Sequence, residues 1–432
     1  MRTILLPFLG LGLAAQAVEP VGRDDRRDVV ELVQGQPVTG RVVNPFDPKE
    51  VLLLQGGKRV RVERSRVKSM VTVRDLVTEL LHMHLSTPNE ANRLQILAEW
   101  ALSKKLDEMA ALFAYRALCA DPEYGPAHEL LGHRKQGDRW LWKRGDRFMP
   151  KAAFDDYISE YGHPLELRSE HWQLRTDAGV ERAVDTLLDL ERLYLFLFER
   201  FGAKLDLYEV LSPVLVLARK DKESFPGWTQ LAIPYYHPPR TPEGVYTFFD
   251  RDADGPAGRA TALFRVGTEA LLNRCLAVDA EYPTYEYRLV DWFEIGFGEW
   301  IDSQLAGPPG RAVPGTPSMT PERVRLVLEE RRYKLPILLQ RNVDDNYYDS
   351  VTDYKDMDWA YAQAFVAFLM EDPDAGGNAD KLLKYAYQAM RKKQGDSSST
   401  FDKAFGARIE TLEKPFEGWL RAHAGQGAKP GR

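Results

Sequence analysis

The sequence predicts a multidomain α+β protein. Short β-branched runs fill residues 28–74, a helical period replaces them over 75–145, and strands alternate with long helices over 165–424. The chain has 432 residues, enough for roughly two to four domains. We therefore expect a small β-barrel-like unit, a helical hairpin that acts as a spacer, and a larger C-terminal α+β domain.

Residues 1–17 have the pattern of a secretory signal peptide. Arg2 precedes the apolar stretch ILLPFLGLGLAA, and Ala15 and Ala17 form a small-x-small cleavage site. No later run approaches the roughly 18 consecutive apolar residues of a membrane span. We therefore expect a secreted or periplasmic protein without an integral membrane segment, ending in a disordered tail at residues 425–432.

The β unit consists of three β-branched runs within residues 28–74, separated by glycine-rich and Asn-Pro turns. This punctuation is typical of a small SH3-like barrel. One stretch, GKRVRVERSRVK at 57–68, alternates valine with basic residues, as the solvent face of a strand does. Because the net charge of the whole chain is −6, we expect no nucleic-acid partner.

The helical segment resembles a tetratricopeptide-type hairpin. Small and aromatic residues recur at helical spacing over 110–132, where an Asp-Pro break separates two helices. Solenoids need about three or more repeats, and one or two units are visible here. We therefore interpret residues 75–145 as a spacer that contacts a partner.

The C-terminal domain is expected to contain a strand, a long amphipathic helix, two further strands and then several helices. Thr320 followed by Pro321 marks the start of a later helix, since threonine is a good N-cap and proline fits the first helical position. The other expected elements are strands at 166–176, 213–218 and 244–250 and helices at 180–201, 259–278 and 291–305.

No metal site can be built from cysteine or histidine spacing. Cys119 and Cys275, the only cysteines, favour small buried side chains, although a secreted protein leaves a disulfide between them open. His82 and His84 are expected to form an exposed pair at the end of a helix. No histidines are spaced i, i+4 on a helix, and no glycine-rich phosphate loop is present, so we expect no cofactor.

Two helices carry the residues on which a functional interpretation depends. On the first, Glu269 lies four residues after Arg265, a spacing that predicts a modest surface ion pair. On the second, Ile295 lies among aromatic residues and is expected in the core. By this reading alone Glu269 is a residue of a polar surface stripe.

The arrangement of these helices resembles the peptidase MA-like zincin family, a gluzincin-type group of secreted bacterial proteins of unknown function. In that family a strand–helix–strand–strand unit leads into a helix with an H-E-x-x-H motif, and a second helix carries W-x-x-E-G. The H-E-x-x-H motif falls on residues 268–272, TEALL, and W-x-x-E-G falls on 292–296, WFEIG. The likeness covers most of the chain after the leader, which implies a C-terminal zincin-like domain.

The resemblance also implies a zinc site whose ligands this chain lacks. Thr268, Leu272 and Ile295 occupy the positions of the two histidines and of the later glutamate, whereas Glu269 retains the position of the general base. Zinc binds nitrogen, sulfur or carboxylate oxygen, which leucine and isoleucine do not offer. We therefore expect no bound zinc and no confident catalytic residue; Thr268, Glu269, Leu272 and Ile295 are remnants of the motif.

Three functions remain open at this point. The first is a non-catalytic, zincin-fold pseudopeptidase that binds an unidentified protein or peptide or is associated with the cell envelope. The second is an active hydrolase or metallopeptidase with a non-standard centre around Glu269, together with Glu294 or Glu299 and a histidine such as His237. The third is a structural assembly component that docks through its helical hairpin.

Overall fold

The computed structural model describes ten segments of the chain: residues 27–225, 234–237, 244–249, 258–276, 291–315, 319–331, 334–340, 352–372, 377–392 and 398–424. The expected signal peptide at 1–17 and the expected tail at 425–432 lie outside the described residues. The described part mixes helices and strands, so the chain is α+β as predicted. None of the described helices is long and apolar enough to cross a lipid bilayer.

The N-terminal unit is an open antiparallel sheet of five strands in the order β4-β3-β2-β1-β5. Its strands are β1 (Asp28–Leu32), β2 (Val38–Val42), β3 (Glu50–Gln55), β4 (Lys58–Glu63) and β5 (Val67–Val71). The prediction of a closed barrel is therefore wrong. The 3-10 turn Arg64–Arg66 replaces a hairpin between β4 and β5, so these two strands lie at opposite edges of the sheet.

The exposed basic residues of this sheet lie where the alternation predicts them. Lys58, Arg59 and Arg61 of β4 are exposed, whereas Val62 is buried in a small core of valines and leucines that belongs to this sheet alone. The buried carboxylate of Asp28 then joins the sheet to the next helix, because it accepts hydrogen bonds from Val42 N and Val73 N, each 2.7 Å long.

Four helices follow the sheet: α1 (Val73–Ser86), α2 (Ala91–Ser103), α3 (Asp107–Ala120) and α4 (Gly125–Leu130). The first begins at a capping box in which Thr72 and Asp75 satisfy each other's backbone N–H groups. Helices α2 and α3 pack against each other, and their buried side chains belong to the same hydrophobic core as the C-terminal elements. The helices therefore pack onto the rest of the protein.

A second, three-stranded sheet overlaps the end of the predicted helical segment. It contains β6 (Arg134–Gln136), β7 (Arg139–Arg144) and β8 (Arg147–Pro150), and is followed by α5 (Lys151–Ile158). Gly137, with a φ of 59°, allows the tight turn between β6 and β7.

The third sheet lies under the helices that carry the candidate site. Its strands are β9 (Leu165–Arg168), β10 (Trp172–Thr176), β11 (Val214–Arg219), β12 (Tyr235–His237) and β13 (Gly244–Phe248), in the order β12-β13-β11-β10-β9. Strands β10, β11 and β13 are parallel, and both edge strands are antiparallel to them. The single strand expected at 166–176 is thus two strands with a turn at residues 169–171.

Helix α6 (Val180–Leu205) connects β10 to β11 and packs against both the sheet and α3. It confirms the long amphipathic helix expected at 180–201. Arg116 of α3 forms an ion pair with Asp185 of α6, which links the helical segment to the C-terminal part.

The remaining elements are two site helices, a short β-ribbon and a set of covering helices. They are α7 (Leu263–Cys275), α8 (Asp291–Gln304), β14 (Leu305–Ala306), β15 (Val313–Pro314), α9 (Pro321–Glu330), α10 (Leu335–Leu338), α11 (Thr352–Glu371), α12 (Asn378–Met390), α13 (Ser398–Phe405) and α14 (Glu413–Ala424). The predicted N-cap of α9 is confirmed, since Thr320 Oγ1 accepts a hydrogen bond from Arg323 N.

Candidate functional site

Glycines allow α7 and α8 to approach each other and two neighbouring helices, α6 and α11, closely. A Cβ on Gly267 would lie 2.7 Å from Leu193 Cδ2 of α6, and one on Gly298 would lie 3.0 Å from Arg265 Cγ of α7. A Cβ on Gly296 would lie 2.5 Å from the carbonyl oxygen of Ala362 in α11. At Gly296 the overlapping atoms belong to the backbone of α11, so this crossing is closer than any larger residue permits.

Gly296→Ala is expected to lower the free energy of unfolding by about 1–3 kcal/mol, because the new methyl group overlaps a backbone carbonyl that cannot rotate away. The measurement is urea denaturation. Gly418→Ala is the matched control, since Gly418 lies in α14 with no atom within 4 Å of the added Cβ. That control should gain up to about 1 kcal/mol from helix propensity. Equal stability of the two variants would contradict the close approach of α8 and α11.

The three positions of the implied zinc ligands are all buried. Thr268 is 0% exposed, and its hydroxyl already donates to the carbonyl of Phe264, over 2.7 Å. Leu272 and Ile295 belong to the hydrophobic core of the C-terminal part. These residues do not fit a zinc ion, because two of them offer no donor atom and the third is engaged within its own helix.

Glu269 lies in a different environment from the one that the sequence predicted. The ion pair with Arg265 is confirmed, at 2.5 Å between Arg265 Nη1 and Glu269 Oε1. It is not a surface pair, however, since Arg265 is 3% and Glu269 7% exposed. Helix α8 covers this side of α7, so the polar stripe faces another helix and not solvent.

Asn273 continues the polar stripe and connects the two helices. Its side-chain amide donates to the backbone carbonyl of Glu269 over 2.8 Å and to Glu294 Oε1 over 2.9 Å. Glu294 is partly exposed, so this link leads from the buried pair toward the surface of the site.

Glu299 binds cations on both sides. Its Oε1 lies 3.3 Å from Arg265 Nε, and its Oε2 lies 3.0 Å from Arg323 Nη1 of α9. The structure thus brings Glu269 and Glu299 together around Arg265. The side chain of His237, which the sequence offered as a further member of a non-standard centre, lies outside the described residues.

The sequence analysis missed Arg265 as the centre of this group. The i, i+4 spacing identified its pairing with Glu269, but nothing in the spacing indicated that Glu299 and Trp359 would approach it from other helices. The Arg265 guanidinium carbon lies 4.7 Å from the centre of the Trp359 ring, and Arg265 Nη2 donates to the carbonyl of Pro234 over 2.7 Å.

No group of three or more histidine, cysteine, aspartate or glutamate side chains could hold a metal ion in the described part of the chain. Cys119 and Cys275 are free thiols, and Cys275 is buried among apolar side chains. The prediction of an exposed His82–His84 pair is wrong for His84, which is buried. Its Nε2 lies 3.3 Å from the carbonyl oxygen of Gly310. His82 is exposed, as predicted.

Comparison with known proteins indicates no family for this chain. No protein-family model matches the chain, and no curated protein matches it. The functional conclusion therefore depends on the residues of the site.

Proposed function

We propose that this chain is a zincin-like pseudopeptidase, secreted or periplasmic, that binds a protein or peptide without cleaving it. The proposal is carried by one observation: the positions of the three implied zinc ligands hold a threonine, a leucine and an isoleucine, all buried. The order β10–α6–β11–β12–β13–α7 supports the family assignment, because it contains the strand–helix–strand–strand unit that the resemblance implies, with β12 as an additional edge strand. Residues 1–17 support export, since they have the pattern of a leader peptide.

The contacts of Glu269 support the proposed loss of catalysis. A general base on a metal-bound water needs a free carboxylate and a metal that lowers the pKa of that water. Here the carboxylate of Glu269 is paired with a buried guanidinium. Binding, by contrast, requires only a surface, and the partly exposed Glu294 lies at the edge of this site.

The wild-type chain, purified without chelators, is expected to contain less than stoichiometric zinc by elemental analysis and to leave a broad peptide library uncleaved. Glu269→Gln should behave identically in both assays. Stoichiometric zinc in the wild-type protein, or cleavage that disappears in Glu269→Gln, would overturn the proposal in favour of an active hydrolase centred on Glu269.

A second candidate, an assembly component that docks through the helical segment, is favoured by two exposed apolar side chains on α2. Ile96 is 53% and Leu102 42% exposed. The two candidates can be separated with peptides that are selected for binding to the wild-type chain. Their affinity for the wild type and for each variant is measured by calorimetry. Binding at the α7–α8 site should weaken in Glu294→Lys and persist in an Ile96→Asp, Leu102→Asp double variant. The reverse pattern would replace the first candidate with the second.

A further inference from the structure

The three-stranded sheet of β6, β7 and β8 is positively charged in a chain that is negative overall. Between residues 134 and 150 there are six lysines and arginines and two aspartates, a net charge of +4, whereas the net charge of the chain is −6. Five of the six cations are exposed: Arg134, Lys135, Arg139, Lys143 and Arg147. None of these five forms an ion pair with a side chain in the described part of the chain. Their charge is therefore available to a partner.

One face of the sheet is anchored on neighbouring helices. The ring of Trp140 stacks on that of His128 in α4, with 4.5 Å between ring centres and 8° between planes. Trp142 is 2% exposed and packs against Phe154 of α5, with 5.2 Å between ring centres. Successive side chains of a strand point to opposite faces, so the odd-numbered residues of β7 lie on the face that is turned away from α4 and α5.

The opposite face, which we call the outer face, is built around five residues of the three strands. Arg139, Leu141 and Lys143 come from β7. The strand register places Arg134 of β6 opposite Leu141, and Phe148 of β8 opposite Lys143. The guanidinium carbon of Arg134 lies 4.4 Å from the centre of the Phe148 ring, which agrees with their position on one face.

Three cations share the outer face without a carboxylate. The two aspartates of the segment, Asp138 and Asp146, lie in the turns β6–β7 and β7–β8 and not at strand positions. Exposed faces usually carry both signs of charge interspersed, and like charges on neighbouring strands disfavour a sheet. A negatively charged partner would offset that repulsion.

The spacing of the cations selects an extended partner with several charges. Arg139 and Lys143 are four residues apart on one strand, so their Cα atoms are about 13 Å apart. A single carboxylate cannot pair with both. Alternate side chains of an extended peptide recur about every 6.6 Å, which matches the spacing along β7. Leu141, between the two cations, and Phe148 are half-buried and offer apolar contacts to such a peptide.

Two other kinds of polyanion fit the outer face less well. Proteins that bind single-stranded nucleic acid stack bases on aromatic rings, but here Trp140 is stacked on His128 and Phe148 is covered by Arg134. A membrane surface favours apolar side chains that insert into it, and Leu141 and Phe148 are only half-buried. A chain of net charge −6 is also repelled by an extended polyanion, whereas a short acidic segment interacts mainly within the Debye length of about 8–10 Å.

We propose that the outer face is a docking surface for an extended acidic segment of a partner protein. Carboxylates of that segment pair with Arg134, Arg139 and Lys143, and its apolar side chains contact Leu141 and Phe148. The proposal goes beyond the function proposed for α7 and α8, since the outer face belongs to other elements. It holds whether or not a peptide binds at those helices.

The test measures binding of a fluorescent peptide of alternating glutamate and threonine to the full-length protein by fluorescence polarisation. In an extended chain this alternation places all carboxylates on one side. The wild type should bind the peptide at low salt and lose affinity as the ionic strength rises. The triple variant Arg134→Glu, Arg139→Glu, Lys143→Glu should bind it at least about tenfold more weakly, because each attraction becomes a repulsion.

The matched control reverses three exposed cations of the N-terminal unit: Lys49→Glu, Lys58→Glu, Arg66→Glu. This variant has the same net charge as the first, and its affinity should stay within about threefold of that of the wild type. Absence of binding by the wild type would overturn the proposal. So would an equal loss in the two triple variants, because the effect would then come from net charge alone.

A milder variant decides the question if the glutamate variant does not fold. Arg134→Gln, Arg139→Gln, Lys143→Gln removes the charges without adding repulsion. A loss of affinity of about threefold or more supports the proposal, and unchanged affinity overturns it.

Competition separates an acidic protein segment from other polyanions. A single-stranded oligonucleotide and vesicles that contain phosphatidylglycerol should compete less well than unlabelled peptide at equal concentration of negative charge. Equal competition would overturn the proposal in favour of a general polyanion surface. Glu294→Lys should leave peptide binding unchanged, so this proposal and the one for α7 and α8 can fail separately.

Discussion

Glu191→Leu is expected to lower the free energy of unfolding by about 2–6 kcal/mol, since it removes a fully buried carboxylate that accepts two hydrogen bonds from His171. Glu191 lies on α6 and binds two groups of His171: it accepts from the backbone N–H over 2.8 Å, and its other oxygen lies 2.7 Å from Nδ1. Burial alone would raise the pKa of Glu191, but His171 and these hydrogen bonds lower it. The carboxylate is thus held in its charged form.

The size of this effect follows from what the substitution leaves behind. His171 is 2% exposed and lies against the ring of Tyr194, with 3.6 Å between ring centres, so water cannot replace the lost carboxylate. Leucine would fill the space and leave two buried donors without an acceptor, each costing about 1–3 kcal/mol. Urea denaturation at neutral pH measures the loss.

Two further variants separate this cause from a general effect of losing a carboxylate. Glu191→Gln retains one carbonyl oxygen for the His171 N–H group and should lose less stability than Glu191→Leu. Asp155→Ala breaks the exposed pair between Lys151 and Asp155 and should cost no more than about 0.5 kcal/mol. If Glu191→Leu were as mild as Asp155→Ala, the His171 contacts would not stabilise the turn between β9 and β10.

The contacts of His171 with Glu191 also explain why the sequence predicted one strand at 166–176, where the structure has β9 and β10. Residues 166–176 alternate apolar and polar side chains like a continuous strand, and the alternation does not show that the chain reverses at 169–171. The polar residues of that turn are satisfied from elsewhere. His171 binds Glu191 of α6, and Glu170 forms a two-pronged ion pair with Arg27. Such partners are distant in sequence, so local patterning cannot reveal them.

Helices with strong local signals were predicted well. The amphipathic period of α6 and the N-cap of α9 are each defined by residues that are close together in the sequence. Both features are found in the structure. The barrel prediction for the β unit was wrong for a different reason. Strand pairing within each hairpin is local in sequence. Closure of a barrel depends instead on whether the two edges of the sheet meet. In this sheet β4 and β5 lie at opposite edges and do not pair, and local sequence patterns do not reveal that.

The candidate site was predicted in identity but not in environment. Spacing alone paired Arg265 with Glu269, and the pair exists. A charged stripe on a helix is usually solvated, so the sequence favoured a surface position. Whether such a stripe is buried depends on a second helix with complementary charges. Here that helix is α8, whose Glu299 follows Glu269 by 30 residues in the sequence (299 − 269). The assignment of positions 268, 272 and 295 to a former zinc site stays a prediction that the experiments above test.

His84→Gln is expected to make the protein markedly less sensitive to acid. Burial, together with the charges of Arg311, Arg116 and Arg192, lowers the pKa of His84 to about 3. The hydrogen bond between His84 Nε2 and the carbonyl of Gly310 requires a proton on Nε2 in the neutral ring. Any additional proton must therefore go to Nδ1, which is buried without a hydrogen-bond partner.

The direction of the effect follows from proton binding in the two states. The unfolded chain binds a proton at His84 as the pH falls below about 6.5, whereas the folded chain resists it down to about pH 3. Stability from this residue is therefore complete above about pH 6.5 and decreases as the pH falls. Relative to His84→Gln, the wild-type protein should lose up to about 3 kcal/mol between pH 6.5 and pH 4.

The difference between variants is the quantity to measure, because other groups contribute with the opposite sign. Burial raises the pKa of Asp185 to about 7, so this residue favours the folded state as the pH falls. Subtracting the urea-unfolding free energies of the wild type and His84→Gln at each pH removes that contribution. His82→Gln is the matched control, since His82 lies on the same helix with its ring in water. The wild-type and His84→Gln free energies of unfolding could differ by an amount that varies with pH no more than the corresponding difference for His82→Gln. That result would mean that His84 takes up its proton in the folded chain. The contact between α1 and the Gly310 loop would then not exclude an imidazolium.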